Sequence, residues 1–135
     1  MSEIFISYYS NDIDKVKRLV SELKQKGAKI WFDDDQILPG DDLIQKMSEG
    51  IDQCRFYLIC LSPSFDKKPP TSWVKKELKM AMIKENKQGQ RSIIPVRLIK
   101  GGSIPLEIGE KAYADLSTEE RWAKNFPRLC RALDI

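Results

Sequence analysis

Residues 55–61, Arg55-Phe56-Tyr57-Leu58-Ile59-Cys60-Leu61, are continuously apolar after the first position. A strand with one wet face alternates apolar and polar side chains, whereas a strand covered on both faces has no reason to. The run therefore predicts a central parallel strand, closed by Ser62-Pro63-Ser64. Towards the N-terminus, Leu43, Met47 and Ile51 share one face of a short helix. Residues 28–32 (AKIWF) and 3–7 (EIFIS) predict two further strands. Between them Ile13, Val16, Leu19, Val20 and Leu23 recur at helical spacing, with Asn11 at the N-cap position and Gly27 where a helix commonly ends.

Towards the C-terminus, Pro69-Pro70 marks a loop and Ser72 the N-cap of a helix reaching about Asn86. Residues 92–98 (SIIPVRL) predict a fourth strand. Its Pro95 lacks a ladder donor and is expected near an edge or a strand end. Residues 113–116 predict a short fifth strand, and Ser117-x-x-Glu120 is a capping-box pattern opening the last helical region. Trp122, Phe126, Leu129 and Leu133 mark its core side, while Pro127 predicts two short helices, the second capped by Asn125. Strands and helices thus alternate, about five of each. That pattern predicts an α/β fold with a doubly wound five-stranded parallel sheet, helices on both faces and right-handed crossovers.

The 135 residues fit a single domain spanning 1–135, with a core large enough to need no staples. The formal charge of +3 is spread over mixed acids and bases, which gives no basic patch and predicts no nucleic-acid partner. Three cysteines with no C-x-x-C spacing argue for neither a disulfide framework nor a zinc site, and Cys60 belongs to the apolar run. The absence of histidine removes Ser-His-Asp and Cys-His catalysis. The sequence shows no basic leader and no membrane-length apolar run, so a cytoplasmic protein with no membrane partner is expected.

In such sheets ligands bind beyond the carboxyl ends of the strands, where the strand order reverses. Tyr8-Tyr9-Ser10, Asp33-Asp34-Asp35 and Ser62-Pro63-Ser64 follow the first three strands and should meet there, bordered by the helix beginning at Ser72. A glycine-rich phosphate loop is missing after the first strand, and Tyr8-Tyr9 and Ser62 stand where a phosphoacceptor domain has acids. The three aspartates would suit a hard cation, but a solvated loop accounts for them, and no metal or cofactor is expected. Glu77, by itself, reads as a solvated acid in a Lys-rich helix; Trp73, four residues earlier, shares its face and reads as packing.

Taken together, Phe5-Ile6-Ser7-Tyr8, Trp31-Phe32-Asp33 leading to Leu38-Pro39-Gly40, Leu61-Ser62-Pro63, Trp73-x-x-x-Glu77 and Ile94-Pro95-Val96 resemble a TIR (Toll/interleukin-1 receptor) domain in order and spacing. The resemblance implies a flavodoxin-like sheet. The Trp73-x-x-x-Glu77 element is similar to that of NAD-cleaving TIR domains, which implies Glu77 as the catalytic residue and NAD+ as substrate rather than cofactor. It implies substrate contacts from Tyr8, Tyr9, Asp33, Ile37, Ser62 and Trp73, and an assembly loop at Leu38, Pro39 and Gly40. Two plainer readings remain beside it: Tyr8 seals the sheet end, and Leu38 packs inward. Some family members carry basic residues just after the first-strand tyrosine; here Tyr9 and Ser10 stand there, so no phosphate contact is supplied at that place. The implied products are nicotinamide with ADP-ribose or a cyclic isomer, in antiviral innate-immune signalling switched on by self-association. A sensor module in a longer protein is also implied, and an ending just after a helix, at Leu133-Asp134-Ile135, suits an excised domain. The alternative is a non-catalytic module that binds other TIR domains.

Overall fold

The computed structural model describes residues 3–9, 12–31, 39–63, 78–83, 93–101 and 112–135, with backbone alone at 43, 44 and 47. The elements are β1 (Glu3–Ser7), α1 (Ile13–Gln25), β2 (Lys29–Trp31), α2 (Leu43–Gln53), β3 (Phe56–Leu61), β4 (Ile93–Arg97), β5 (Ala114–Asp115) and α3 (Glu119–Ala132). Residues 78–83, between β3 and β4, are helical. The five strands pair in parallel in the order β2-β1-β3-β4-β5. The chain runs outward from β1 to β2, returns past β1 to β3 and continues the other way, so the order reverses between β1 and β3.

β3 lies at the middle of the sheet with all six residues buried, as its unbroken apolar run requires. Alternation then divides the core. Phe56, Leu58 and Cys60 join Ile4, Ile6 and Val96 beneath Val16, Leu19 and Leu23 of α1 and Trp122, Phe126 and Leu129 of α3. Tyr57, Ile59 and Leu61 join Phe5 and Ile93 beneath Ile51 of α2 and Leu78 and Ala81. Full burial of each large aliphatic side chain contributes about 1.5–3 kcal/mol, so this two-sided sandwich supplies most of the driving force.

Local chemistry sets the ends. At the end of α1, Gly27 takes φ +92°, while Gly27 N–H donates to Lys24 O and Ala28 N–H to Leu23 O. That is the Schellman arrangement, and the left-handed residue favours glycine. Asp42 caps α2 by accepting from the Gln45 amide at 3.0 Å. Within α2, Gly50 faces Trp31 so closely that a Cβ there would lie 2.5 Å from Cε2 of the indole. Trp31 in turn stacks on Phe5 at 4.7 Å between centroids, and Phe5 on Tyr57 at 5.4 Å.

Several expectations need correction. The residue at the N-cap of α1 is Asp12, not Asn11, and its side chain makes no cap hydrogen bond because it is drawn elsewhere. α3 is one helix running through Pro127. Its apolar stripe, Trp122, Phe126, Leu129 and Cys130, is buried, and that packing outweighs one missing backbone donor. Asn125 caps nothing; its Nδ2 donates to the Asp115 carbonyl at 2.9 Å. The N-cap is Thr118, whose Oγ1 accepts from the Arg121 amide at 3.1 Å, while Ser117 Oγ donates to Asp115 at 2.6 Å. The capping box therefore does not form as Ser117 with Glu120.

Pro95 sits in the middle of β4, opposite Ile59, and β4 is penultimate rather than an edge. The Leu98 amide donates to Leu61 on the β3 side, and the Arg97 carbonyl accepts from Leu116 on the β5 side. Alternation turns the Pro95 nitrogen towards β5 as well. β5 pairs only from Val96 onward, so the missing donor falls where the ladder has not begun.

Candidate functional site

The carboxyl ends of β1 and β3 lie side by side at the switch point, the place where sheets of this order bind their ligands. β1 ends on Ser7, fully buried. Tyr8 is half-buried against the cluster under α1 and α3, whereas Tyr9 is buried in the opposite cluster with Phe5, Leu61 and Leu78. The two tyrosines thus straddle the sheet end. The chain then turns, the Asp12 amide donating to the Tyr9 carbonyl at 2.9 Å.

Ser62 stands at the end of β3, and its Oγ donates to Asp12 Oδ2 at 2.6 Å, with both residues buried. This bond spans the switch point and ties the start of α1 to the end of β3. A charge-assisted hydrogen bond in a shielded place is stronger than a neutral one. The nearby Cys60 thiol is pushed well up by burial, with the Asp12 charge adding to it, so it stays a neutral core thiol rather than a nucleophile. Further along, Pro63 adjoins Gly101, where a Cβ would lie 3.5 Å from the proline Cγ, so the loops leaving β3 and β4 meet. Arg97, the last residue of β4, lays its guanidinium against the Tyr113 ring at 4.8 Å.

Of the residues singled out from sequence, Tyr8, Tyr9 and Ser62 are brought to this same end of the sheet. Pro39 and Gly40 form an exposed turn just before α2, with Gly40 at φ +93°. Asp33, Ile37, Leu38, Trp73 and Glu77 lie outside the described residues, as do Asp34, Asp35 and Ser72. Leu78, which follows Glu77 in the chain, is buried in the cluster that holds Tyr9 and Leu61. Sequence reasoning missed Asp12. An acid just before an amphipathic helix reads as a cap, and nothing local marks a partner 50 residues away. Among the described residues no group of three His, Cys, Asp or Glu side chains is placed to hold a metal ion, and no helix is long and apolar enough to cross a membrane.

An all-parallel sheet of this order, reversing between the first and third strands, defines the flavodoxin-like doubly wound class. Within that class the TIR domain profile matches residues 4–130, and the chain belongs to the TIR domain family. It is similar to a 2′ cyclic ADP-D-ribose synthase of Bacteroides thetaiotaomicron, 32% identical over 95 residues covering 70% of this chain and 32% of that protein. An NAD(+) hydrolase of Paracoccus denitrificans is 34% identical over 95 residues, 70% of this chain and 30% of that protein. The chain spans about a third of the length of the curated relatives it matches. Among solved structures, the TIR domain of a Toll-related receptor from Hydra magnipapillata superposes with a TM-score of 0.81 over 100% of both chains at 20% identity, a likeness of fold.

Proposed function

We propose that the chain is an NAD+ glycohydrolase, a hydrolase of N-glycosyl bonds that breaks the nicotinamide–ribose bond. Water capture of the ribosyl cation gives ADP-ribose, and internal capture by the adenine gives a cyclic isomer. The observation that carries this reading is the pair of relatives named for these two outcomes, each aligned over 70% of the chain. The switch point of the sheet, where Tyr8, Tyr9 and the Ser62–Asp12 bond stand, supports it as the place such folds use for ligands.

One carboxylate suffices for this chemistry. Most glycosidases need a second carboxyl to protonate the leaving group. Nicotinamide in NAD+ is already cationic and departs as a neutral base. What the protein must supply is stabilisation of the positive charge that builds on the ribose, a task for a fixed anion such as Glu77. Trp73 limits water around it, while Tyr8, Tyr9, Asp33, Ile37 and Ser62 hold the substrate. NAD+ is the substrate and no metal or other cofactor takes part. We further propose that the domain works in the cytoplasm within a longer, sensor-bearing protein, that self-association through the loop at Leu38, Pro39 and Gly40 switches it on, and that it serves anti-phage signalling.

The test incubates the concentrated domain with NAD+ and follows nicotinamide by chromatography, with Glu77→Ala and Glu77→Gln alongside. Loss of one preorganised charge stabiliser should cost about 2.7–4 kcal/mol of barrier, a fall of roughly 100- to 1,000-fold in kcat. No release by the wild type under crowded conditions would leave a non-catalytic interaction module. Activity retained in Glu77→Ala would move the catalytic role to another residue.

A further inference from the structure

The switch point described above carries an anion, Asp12, and two tyrosines, yet a dinucleotide brings a diphosphate that needs a cation. The loop after β1 begins with Tyr8 and Tyr9 and offers none there. Arg97 does. Ser7, the last residue of β1, pairs with Ile59, and Leu61, two residues further along β3, pairs with Arg97. Arg97 therefore stands two rows beyond the end of β1 and two strands across, about 12 Å away at the usual strand spacing and rise. Val96 and Leu98 on either side of it belong to the cluster under α1 and α3. Alternation turns Arg97 to the other face, the face of Tyr9, Leu61 and Leu78.

Its guanidinium is only partly used. Nη1 meets the Tyr113 hydroxyl at 3.4 Å and the group lies against the Tyr113 ring. Nε is shielded from solvent and has no acceptor among the described residues. A shielded N–H without a partner is unfavourable and calls for an explanation. The obvious anion is already taken: Asp115, Arg97's register partner on β5, accepts from Ser117 and pairs with Arg121. The edge of the guanidinium left over carries the Nε and Nη2 hydrogens, two parallel N–H bonds that match two oxygens of one phosphate. Tyr113 holds the plane of the fork from the other side.

We propose that Arg97 is the diphosphate contact of the site, its Nε–Nη2 edge gripping a phosphate of the substrate. The assignment rests on the NAD-cleaving reading for its substrate, but it can be tested without turnover. ADP, which carries a diphosphate and no scissile bond, is titrated calorimetrically into the wild type, Arg97→Gln and Arg97→Lys. Arg97→Gln weakens ADP binding by about 10- to 100-fold, the loss expected for a charged hydrogen-bonded pair. Arg97→Lys keeps the charge and the stem but not the fork, and it recovers part of the loss. Added salt weakens ADP binding by the wild type more than by Arg97→Gln, a response that a packing role would not produce. With NAD+ as substrate, Arg97→Gln raises KM more than it lowers kcat.

Equal ADP affinity in wild type and Arg97→Gln overturns the proposal, as does absence of ADP binding by the wild type. Equal weakening in Arg97→Gln and Arg97→Lys with no difference in salt response makes the residue structural and overturns it too. Arg97-dependent ADP binding by a wild type that releases no nicotinamide upholds the phosphate contact and refutes the NAD-cleaving reading.

Discussion

At the scale of single residues, two contacts stand out for how much depends on one atom. Ser62→Ala removes the hydroxyl that donates to buried Asp12. The carboxylate loses its donor without regaining water, so stability should fall by about 1–3 kcal/mol, read as a lower urea midpoint at unchanged slope. Gly50→Ala drives a Cβ to 2.5 Å from the Trp31 indole. The ring or α2 must shift, and overpacking of this kind costs about 1–3 kcal/mol. Because Trp31 stacks on Phe5, the same variant should change tryptophan emission in the folded state. Residue-scale legibility was uneven for a physical reason. Cys60 was readable because burial of an apolar residue is advertised by its neighbours in sequence. Asp12 and Arg97 were not, because their partners come from other elements and charge alone looks like surface.

At the scale of elements, β3 was readable end to end, since only a strand covered on both faces is written as an uninterrupted apolar run. The parts of α3 that were misread are those where local signals compete with packing. An asparagine followed two residues later by a proline suggests a break, but α3 is fastened to α1 at its first turn and to the core by its apolar stripe. Arg18 of α1 pairs with Glu22 at 2.8 Å and with Glu119 at 2.5 Å, lies 3.9 Å over the Trp122 ring, and Trp122 Nε1 donates to Glu22 at 2.9 Å. Held at that first turn and by its buried stripe, α3 carries Pro127 on its exposed side at a cost. Pro127→Ala restores a backbone donor and removes the ring clash, so it should stabilise the domain by up to about 3 kcal/mol, seen as a higher thermal midpoint.

At the scale of the whole molecule, the alternation of elements was legible from periodicity, whereas the sheet order was legible only through the resemblance to a flavodoxin-like family. Alternation follows from local periodicity, whereas the order depends on which crossovers pack together. The described helices lie on the faces that the alternating core residues assign to them, and this puts α1 and α3 on one side, linked by charge. The linkage shows in acid. Burial pushes the Asp115 carboxyl up, but hydrogen bonds from Ser117 and the Arg121 charge outweigh it, so the group titrates below its ordinary 3.8. Glu119 is lowered from 4.5, chiefly by its hydrogen bond from Arg18. Folded values below unfolded ones mean stability that is present above the ordinary carboxylate range and drains as pH falls through the depressed values. The thermal midpoint should therefore drop on acidification below about pH 4, and Asp115→Asn should flatten that limb while lowering the plateau. A midpoint independent of pH in that window would remove Asp115 from the account.

Among the described residues the sheet ends on β2, three residues long with Lys29 exposed, and on β5, two residues long. An outer strand so short gives an incoming backbone almost no rail to dock against, and a lysine on it penalises approach. The domain is thereby poorly suited to templating fibrils or donating strands to a neighbour. Copies of it brought close together would meet through loops and helix faces rather than through paired strand edges.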